Sequence, residues 1–141
     1  MKSHLTTITG EKQDMKISLN VLFLSIAGLM LLIIGGAVLL TPQAFYTNDG
    51  VLLGNNPSLL SEIRASGGML TGSALVIFAG IVRPSVRSLA MTLSVLIYGS
   101  FGLLRLISLT LDGMPSNNLL VATAVELTVA AIGIMMLYLK P

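Results

Sequence analysis

Five ionisable residues stand where charge is expensive: Glu62, Arg64, Arg105, Asp112 and Glu126 lie in or beside long apolar stretches. A charged side chain at the centre of a bilayer costs about 3 kcal/mol or more. Such groups therefore pair with one another or mark a ligand, ion or proton site. An arginine presents a planar fork of donors that suits a carboxylate or phosphate. A glutamate beside it supplies an acceptor and, with a proton to exchange, an acid/base group. Little other chemistry is open to this chain. It has no cysteine, which excludes disulfides and thiolate sites, and His4 is its only histidine. No zinc site, phosphate loop or Ser–His–Asp set is expected, and no metal or cofactor. The eight methionines do not repeat on one helical face and read as packing rather than a copper path.

The elements that must position these charges follow from composition. Of 141 residues, 54% are hydrophobic and 10% charged, against about 25% charged in a soluble domain. The apolar residues gather in four segments, at about 18–40, 59–82, 88–111 and 119–139. Each is close to the ~20 residues that cross a bilayer as a helix. Four such helices leave too little polar surface for water, so the fold predicted is an all-α integral membrane four-helix bundle, up-down-up-down. Residues 18–141 form its transmembrane domain, and residues 1–17 a polar cytoplasmic tail without regular structure. The run after this tail exceeds the core of a cleavable signal and reads as an uncleaved anchor. A net charge of +2 with no basic run gives no footprint for nucleic acid.

The links carry turn chemistry. Thr41-Pro42 ends the first helix, and Asn48-Asp49-Gly50 and Gly54-Asn55-Asn56-Pro57 are turn-rich. Arg83-Pro84-Ser85 is short enough to make the second and third helices antiparallel neighbours, and Asp112-Gly113-Met114-Pro115-Ser116 separates the last two. The link at 41–58 has room for a short interfacial helix, expected around Val51–Leu53. Tyr46 and Tyr138 fit interfacial anchors. Lys2, Lys12, Lys16, Arg83, Arg87 and Lys140 all fall on one side of a four-pass topology. Both termini are therefore expected in the cytoplasm, with the 41–58 and 112–118 links outside.

Antiparallel threading then brings the intramembrane charges to one level. At 1.5 Å per residue, Arg64, Arg105 and Glu126 each lie about 6–10 Å inside the outer end of their helix. Each shares a stripe with small residues: Arg64 with Gly68, Thr71, Gly72 and Ala79; Arg105 with Tyr98 and Gly102; Glu126 with Ala122, Ala130 and Gly133. Helix one offers Ser25, Gly28 and Gly35. Small residues mark close helix approach, so the charges are expected to face other helices. The expectation is a buried cluster of Arg64, Arg105 and Glu126, with Asp112 and Glu62 at its outer mouth and Tyr98 within reach. Glu62 points elsewhere on its helix than Arg64 and favours the positive helix N-terminus. Without the mouth acids the cluster carries two positive charges and one negative, which suits a small anion or carboxylate. The plainer reading is a structural Arg105–Glu126 pair that fixes helix register. A third is that no cluster forms and the arginines, Arg64 first, snorkel to the interface. Gly68-x-x-x-Gly72 is read as packing within the fold rather than as a dimer motif.

Three stretches resemble a bacterial family of small four-helix membrane proteins grouped as domain of unknown function 4345. They are Arg64-Ala65-Ser66-Gly67-Gly68-Met69-Leu70-Thr71-Gly72, then Gly102-Leu103-Leu104-Arg105-Leu106-Ile107-Ser108 with Asp112-Gly113-Met114-Pro115, and Glu126-Leu127. The resemblance runs over about residues 20–139 and is more distantly similar to DoxX-like bundles. It implies a four-pass bundle in a bacterial inner membrane and the same charged positions, and no activity. The leading expectation is an accessory or binding component whose outer-leaflet pocket engages a small anionic or lipid ligand, alone, as a homo-oligomer or with a membrane partner protein. One rival is a membrane enzyme or redox accessory acting on a lipid-soluble substrate, with Glu126 as acid/base and Arg105 as anion stabiliser. Another is a small-solute transporter, which with four helices per chain would need an oligomer.

Overall fold

A computed structural model describes the backbone of residues 2–138 and the side chains of residues 19–138. The side chains of Lys2, His4, Lys12, Lys16 and Lys140, and the end of the fourth segment at Leu139, lie outside the described residues. Among the described residues five α-helices follow one another: α1 Lys2–Leu40, α2 Pro42–Thr47, α3 Pro57–Val82, α4 Arg87–Leu111 and α5 Asn117–Tyr138. A single 3-10 turn, Pro84–Val86, joins α3 to α4. Four spans are long and apolar enough to cross a membrane: Leu19–Leu40, Pro57–Val82, Pro84–Leu111 and Asn117–Tyr138. The chain is a multi-pass membrane protein with the all-helical bundle that its composition predicts. Leu22, Ile33, Leu75, Leu96, Leu103 and Val121 are among many large apolar side chains left exposed. In water that would be a liability, but in a bilayer it is the lipid-facing surface.

Local chemistry sets the helix limits. Asn56 caps α3, its Oδ1 accepting from the Ser58 and Leu59 amides at 3.0 and 3.2 Å, with Pro57 in the first turn. At the opposite end of α3, Arg87 reaches back from α4. Its Nε donates to the Gly80 carbonyl at 3.1 Å and its Nη2 to that of Ile81 at 3.3 Å. A cation there meets both the orphan carbonyls and the negative end of the helix dipole.

Two expectations about the links and termini are corrected. The short helix in the 41–58 link is α2, started by Pro42, and not a helix around Val51–Leu53. Gly50 and Gly54, at φ of 78° and 64°, break the helical path on either side of 51–53. The backbone is also helical from Lys2, where the polar composition predicted no regular structure. Once the adjoining span is helical, each further residue adds one bond without a new nucleus.

Packing around the bundle is uneven. The α1–α3, α4–α5 and α3–α4 faces are the extensive ones, α1 meets α4 and α5 in few places, and among the described residues α3 and α5 do not meet. The α1–α3 crossing is close enough to be set by glycine. A Cβ on Gly67 would stand 2.6 Å from the Leu39 nitrogen, and one on Gly35 would stand 2.7 Å from the Thr71 nitrogen. The buried stripe of α3 is Gly67, Leu70, Ala74, Ile77 and Gly80. The expected stripe through Gly68 and Gly72 is one residue out of phase, a rotation of about 100°. Neither Gly68 nor Gly72 sets a helix crossing, since a Cβ at either meets nothing within 4 Å. The stripe expected on α4 fares better, with Tyr98 and Gly102 both buried. Hydroxyls inside the spans are satisfied locally: Thr71, Ser94 and Thr123 each donate to the carbonyl four residues earlier, at 2.9, 2.8 and 2.8 Å.

Adjacent glycines should therefore respond oppositely to one methyl group. Gly67→Ala is expected to lower stability by about 1–3 kcal/mol, because the clash is with backbone that cannot rotate away. Gly68→Ala is expected to be neutral or stabilising by up to about 1 kcal/mol. Thermal unfolding of detergent-purified variants reads the difference, and equal losses would refute the crossing.

Candidate functional site

Between α1 and α5 the bundle opens. The two helices meet where Phe23 lies against Gly133. Further along, towards the α2 end, they enclose part of a cavity of about 430 Å³. That size is at the lower end of small-molecule pockets. Its apolar walls come from Leu31 and Ile34 of α1, Leu70 of α3, Ile97 and Phe101 of α4, and Leu119 and Ala122 of α5. Tyr98 also borders it. This residue is 3% exposed, and its hydroxyl donates to the Ala27 carbonyl of α1 at 2.6 Å. That bond ties α4 to α1 across the bundle and satisfies a phenol that burial would otherwise penalise.

The polar wall is Arg105 with Glu126. Arg105 Nε lies 3.1 Å from Glu126 Oε2, the side chains being 32% and 12% exposed. The helix geometry makes this meeting possible. Gly102, one turn before Arg105, lets the Leu127 side chain and backbone approach α4, a Cβ there falling 2.7 Å from Leu127 Cδ2. The two facing atoms are buried and have no other partner among the described residues, so each charge is answered by the other. The guanidinium also lies 5.9 Å from the centre of the Phe101 ring. Among the described residues no side chain or carbonyl accepts from the terminal nitrogens of Arg105. The residue borders two further depressions on the outer surface of α4 and α5 besides the cavity.

The roof is α2 and the turn after it. Phe45, Tyr46, Asn48 and Asp49 face the cavity from there. Two bonds pin this roof to the start of α5. Ser116 donates to Asp49 Oδ1 at 3.2 Å, and Asn118 Nδ2 donates to the Asn48 carbonyl at 3.1 Å. Asn48-Asp49-Gly50 reads in the sequence only as turn punctuation, and nothing in its residue types shows that it closes a cavity some seventy positions from its partners.

The other charged residues are placed apart. Arg64 is exposed, and its Nη1 donates to the carbonyls of Leu39 and Leu40. It thus caps α1 as Arg87 caps α3, and it does not border the cavity. Glu62 is exposed and has no partner among the described residues. Asp112 is exposed and accepts from the Ser108 hydroxyl at 2.7 Å, a local bond at the end of α4. Of the six residues expected together, the cavity wall holds Arg105, Glu126 and Tyr98. Among the described residues no group of three His, Cys, Asp or Glu side chains could hold a metal ion.

A charge-held pair should show in a double-mutant cycle. Glu126→Gln alone strands the guanidinium and is expected to destabilise more than Glu126→Gln combined with Arg105→Met, with a coupling of about 1–3 kcal/mol. Additive losses in thermal stability would show that the two side chains act independently.

No curated protein and no solved structure matches the chain. One family model does, over residues 20–137, a stretch that takes in nearly all of the four spans. The chain belongs to the family described as a domain of unknown function, DUF4345.

Proposed function

We propose that this protein is a non-enzymatic component of the cell membrane that holds a small ligand in the cavity between α1, α4 and α5. The single observation that carries this reading is the unfinished bonding of the Arg105–Glu126 pair. A pair serving register alone is best sealed on all sides by packing, because every unsatisfied polar atom in a membrane interior costs free energy. Here the pair borders about 430 Å³ of space, and the terminal nitrogens of Arg105 lack a protein acceptor among the described residues. A bound molecule would complete them. Four spans and one modest cavity fit an accessory or binding subunit, and the exposed apolar faces leave room for a membrane partner or a second copy.

The orientation belongs to the same proposal. With Lys2, Lys12, Lys16, Arg83, Arg87 and Lys140 on the cytoplasmic side, both termini are cytoplasmic and the roofed end of the cavity lies in the outer leaflet. For a bacterial chain that membrane is the inner membrane.

Two measurements test these points. Native mass spectrometry of the protein extracted with its lipids is expected to show a bound small molecule. Ala122→Phe, which fills the cavity from its α5 wall, is expected to lose that adduct while keeping the helical far-ultraviolet spectrum. Identical adducts on both proteins would refute the cavity as the site. Reporter fusions at residues 49 and 113 are expected to be active only on the outer side, and those at residue 84 only on the inner side.

A further inference from the structure

If the cavity holds a ligand, as proposed above, its charge balance decides what kind. Three charges at the expected cluster, two positive and one negative, would favour an anion. The placement of Arg64 removes one of the positives, because its guanidinium is spent on the Leu39 and Leu40 carbonyls at the end of α1. The charged groups that border the cavity are Arg105, Glu126 and, at the roof, Asp49. That is one cation against two carboxylates. An anion entering this space would be stripped of water and set beside two like charges, with a single guanidinium already engaged by Glu126. A cation would have to desolvate against apolar walls and compete with Arg105 for Glu126, while Asp49 at the roof already accepts from the Ser116 hydroxyl through Oδ1.

An uncharged head avoids both costs, and the pair specifies its hydrogen bonding. Arg105 Nε and Glu126 Oε2 are the atoms shut off from approach. The groups left open are the terminal nitrogens of the guanidinium, which only donate, and the second carboxylate oxygen, which when ionised only accepts. One head group that accepts from the first and donates to the second is a hydroxyl. A carbonyl or ether could satisfy only the arginine. The remaining walls are aliphatic and aromatic, from Leu31, Ile34, Leu70, Ile97 and Phe101, and would take a hydrocarbon tail. The cavity lies between membrane spans, so its natural supply is the bilayer. We infer that the cavity takes an uncharged, hydroxyl-bearing amphiphile drawn from the membrane, its oxygen accepting from Arg105 and its proton directed at Glu126.

Three probes of one chain length separate the alternatives: 1-decanol, decanoate and decylammonium. The full chain is placed in phosphatidylcholine nanodiscs and its thermal unfolding is followed as each probe is added. The Ala122→Phe variant, run in parallel, subtracts effects on the bilayer itself. Decanol is expected to raise Tm by about 3 °C or more above the shift in that variant, and the two ions to give no such difference. A larger specific shift with decanoate or decylammonium would overturn the inference while leaving the cavity a ligand site. No specific shift with any of the three would overturn the ligand reading as well. Glu126→Gln supplies an independent arm. Without the internal carboxylate, the free guanidinium is expected to turn the preference to decanoate, with half-maximal stabilisation at a concentration at least about tenfold lower than in the parent. A variant that folds and still prefers decanol would count against the assignment of roles. If it does not fold, the parent protein's three probes decide.

Discussion

Hydrocarbon offers no hydrogen bonds, so every polar group in the spans must find its partner inside the protein. That constraint orders almost all that is polar in this bundle. Thr71, Ser94 and Thr123 turn their hydroxyls back onto their own helices. Tyr98 crosses to the Ala27 carbonyl. Arg64 and Arg87 close the last carbonyls of the helices that precede them, on opposite sides of the membrane. The two arginines therefore act as staples between consecutive spans, α3 to α1 and α4 to α3, using the one set of acceptors that a helix cannot satisfy by itself. Arg105 differs from these. Its partner is a carboxylate on another span, and its terminal nitrogens lack a protein acceptor among the described residues.

The cavity follows from where small residues allow contact and where they do not. Gly35 and Gly67 bring α1 onto α3, Gly80 brings α3 onto Ala90 of α4, and Gly102 brings α4 onto Leu127 of α5. The circle is not closed with equal strength, since α1 and α5 touch mainly near Phe23 and Gly133. The side chains that would have to fill the α2 end of that seam are Ala122 and Leu119 on α5 against Leu31 and Ile34 on α1, and they leave a void. The α2 roof, held through Asp49 and Asn118, covers one end of it.

The span lengths and the helical character of the spans were legible because the bilayer imposes them on composition alone. Leu19–Leu40 and Asn117–Tyr138 fall within a residue or two of the apolar limits. The meeting of Arg105 with Glu126 was legible because depth and small-residue phase both pointed to it. The role of Arg64 was not. Its depth matches the other two, but an arginine side chain reaches far enough to choose the helix end over the interior, and that choice depends on where Leu39 and Leu40 stop. The phase of α3 was misjudged for a related reason. Gly67 and Gly68 are equally small, and only the identity of the facing residues, Gly35 and Leu39, decides which one the crossing uses. The closing of the cavity by α2 depends on contacts between residues 48–49 and 116–118, which no local pattern encodes.

Stability alone does not account for the Arg105–Glu126 pair. Taking two charges out of water costs about as much as their attraction returns, and well-packed apolar residues at such sites are often as stable or better. A register lock is a sufficient reason only where the pair is enclosed and its donors are satisfied. The geometry here departs from that: the Arg105 side chain is 32% exposed and borders open space. Removing the arginine would strand Glu126, which is 12% exposed, while removing the glutamate would leave a cation at the same depth. The pair is thus mutually required once either member is present, and the bonding it leaves unmet points to the cavity.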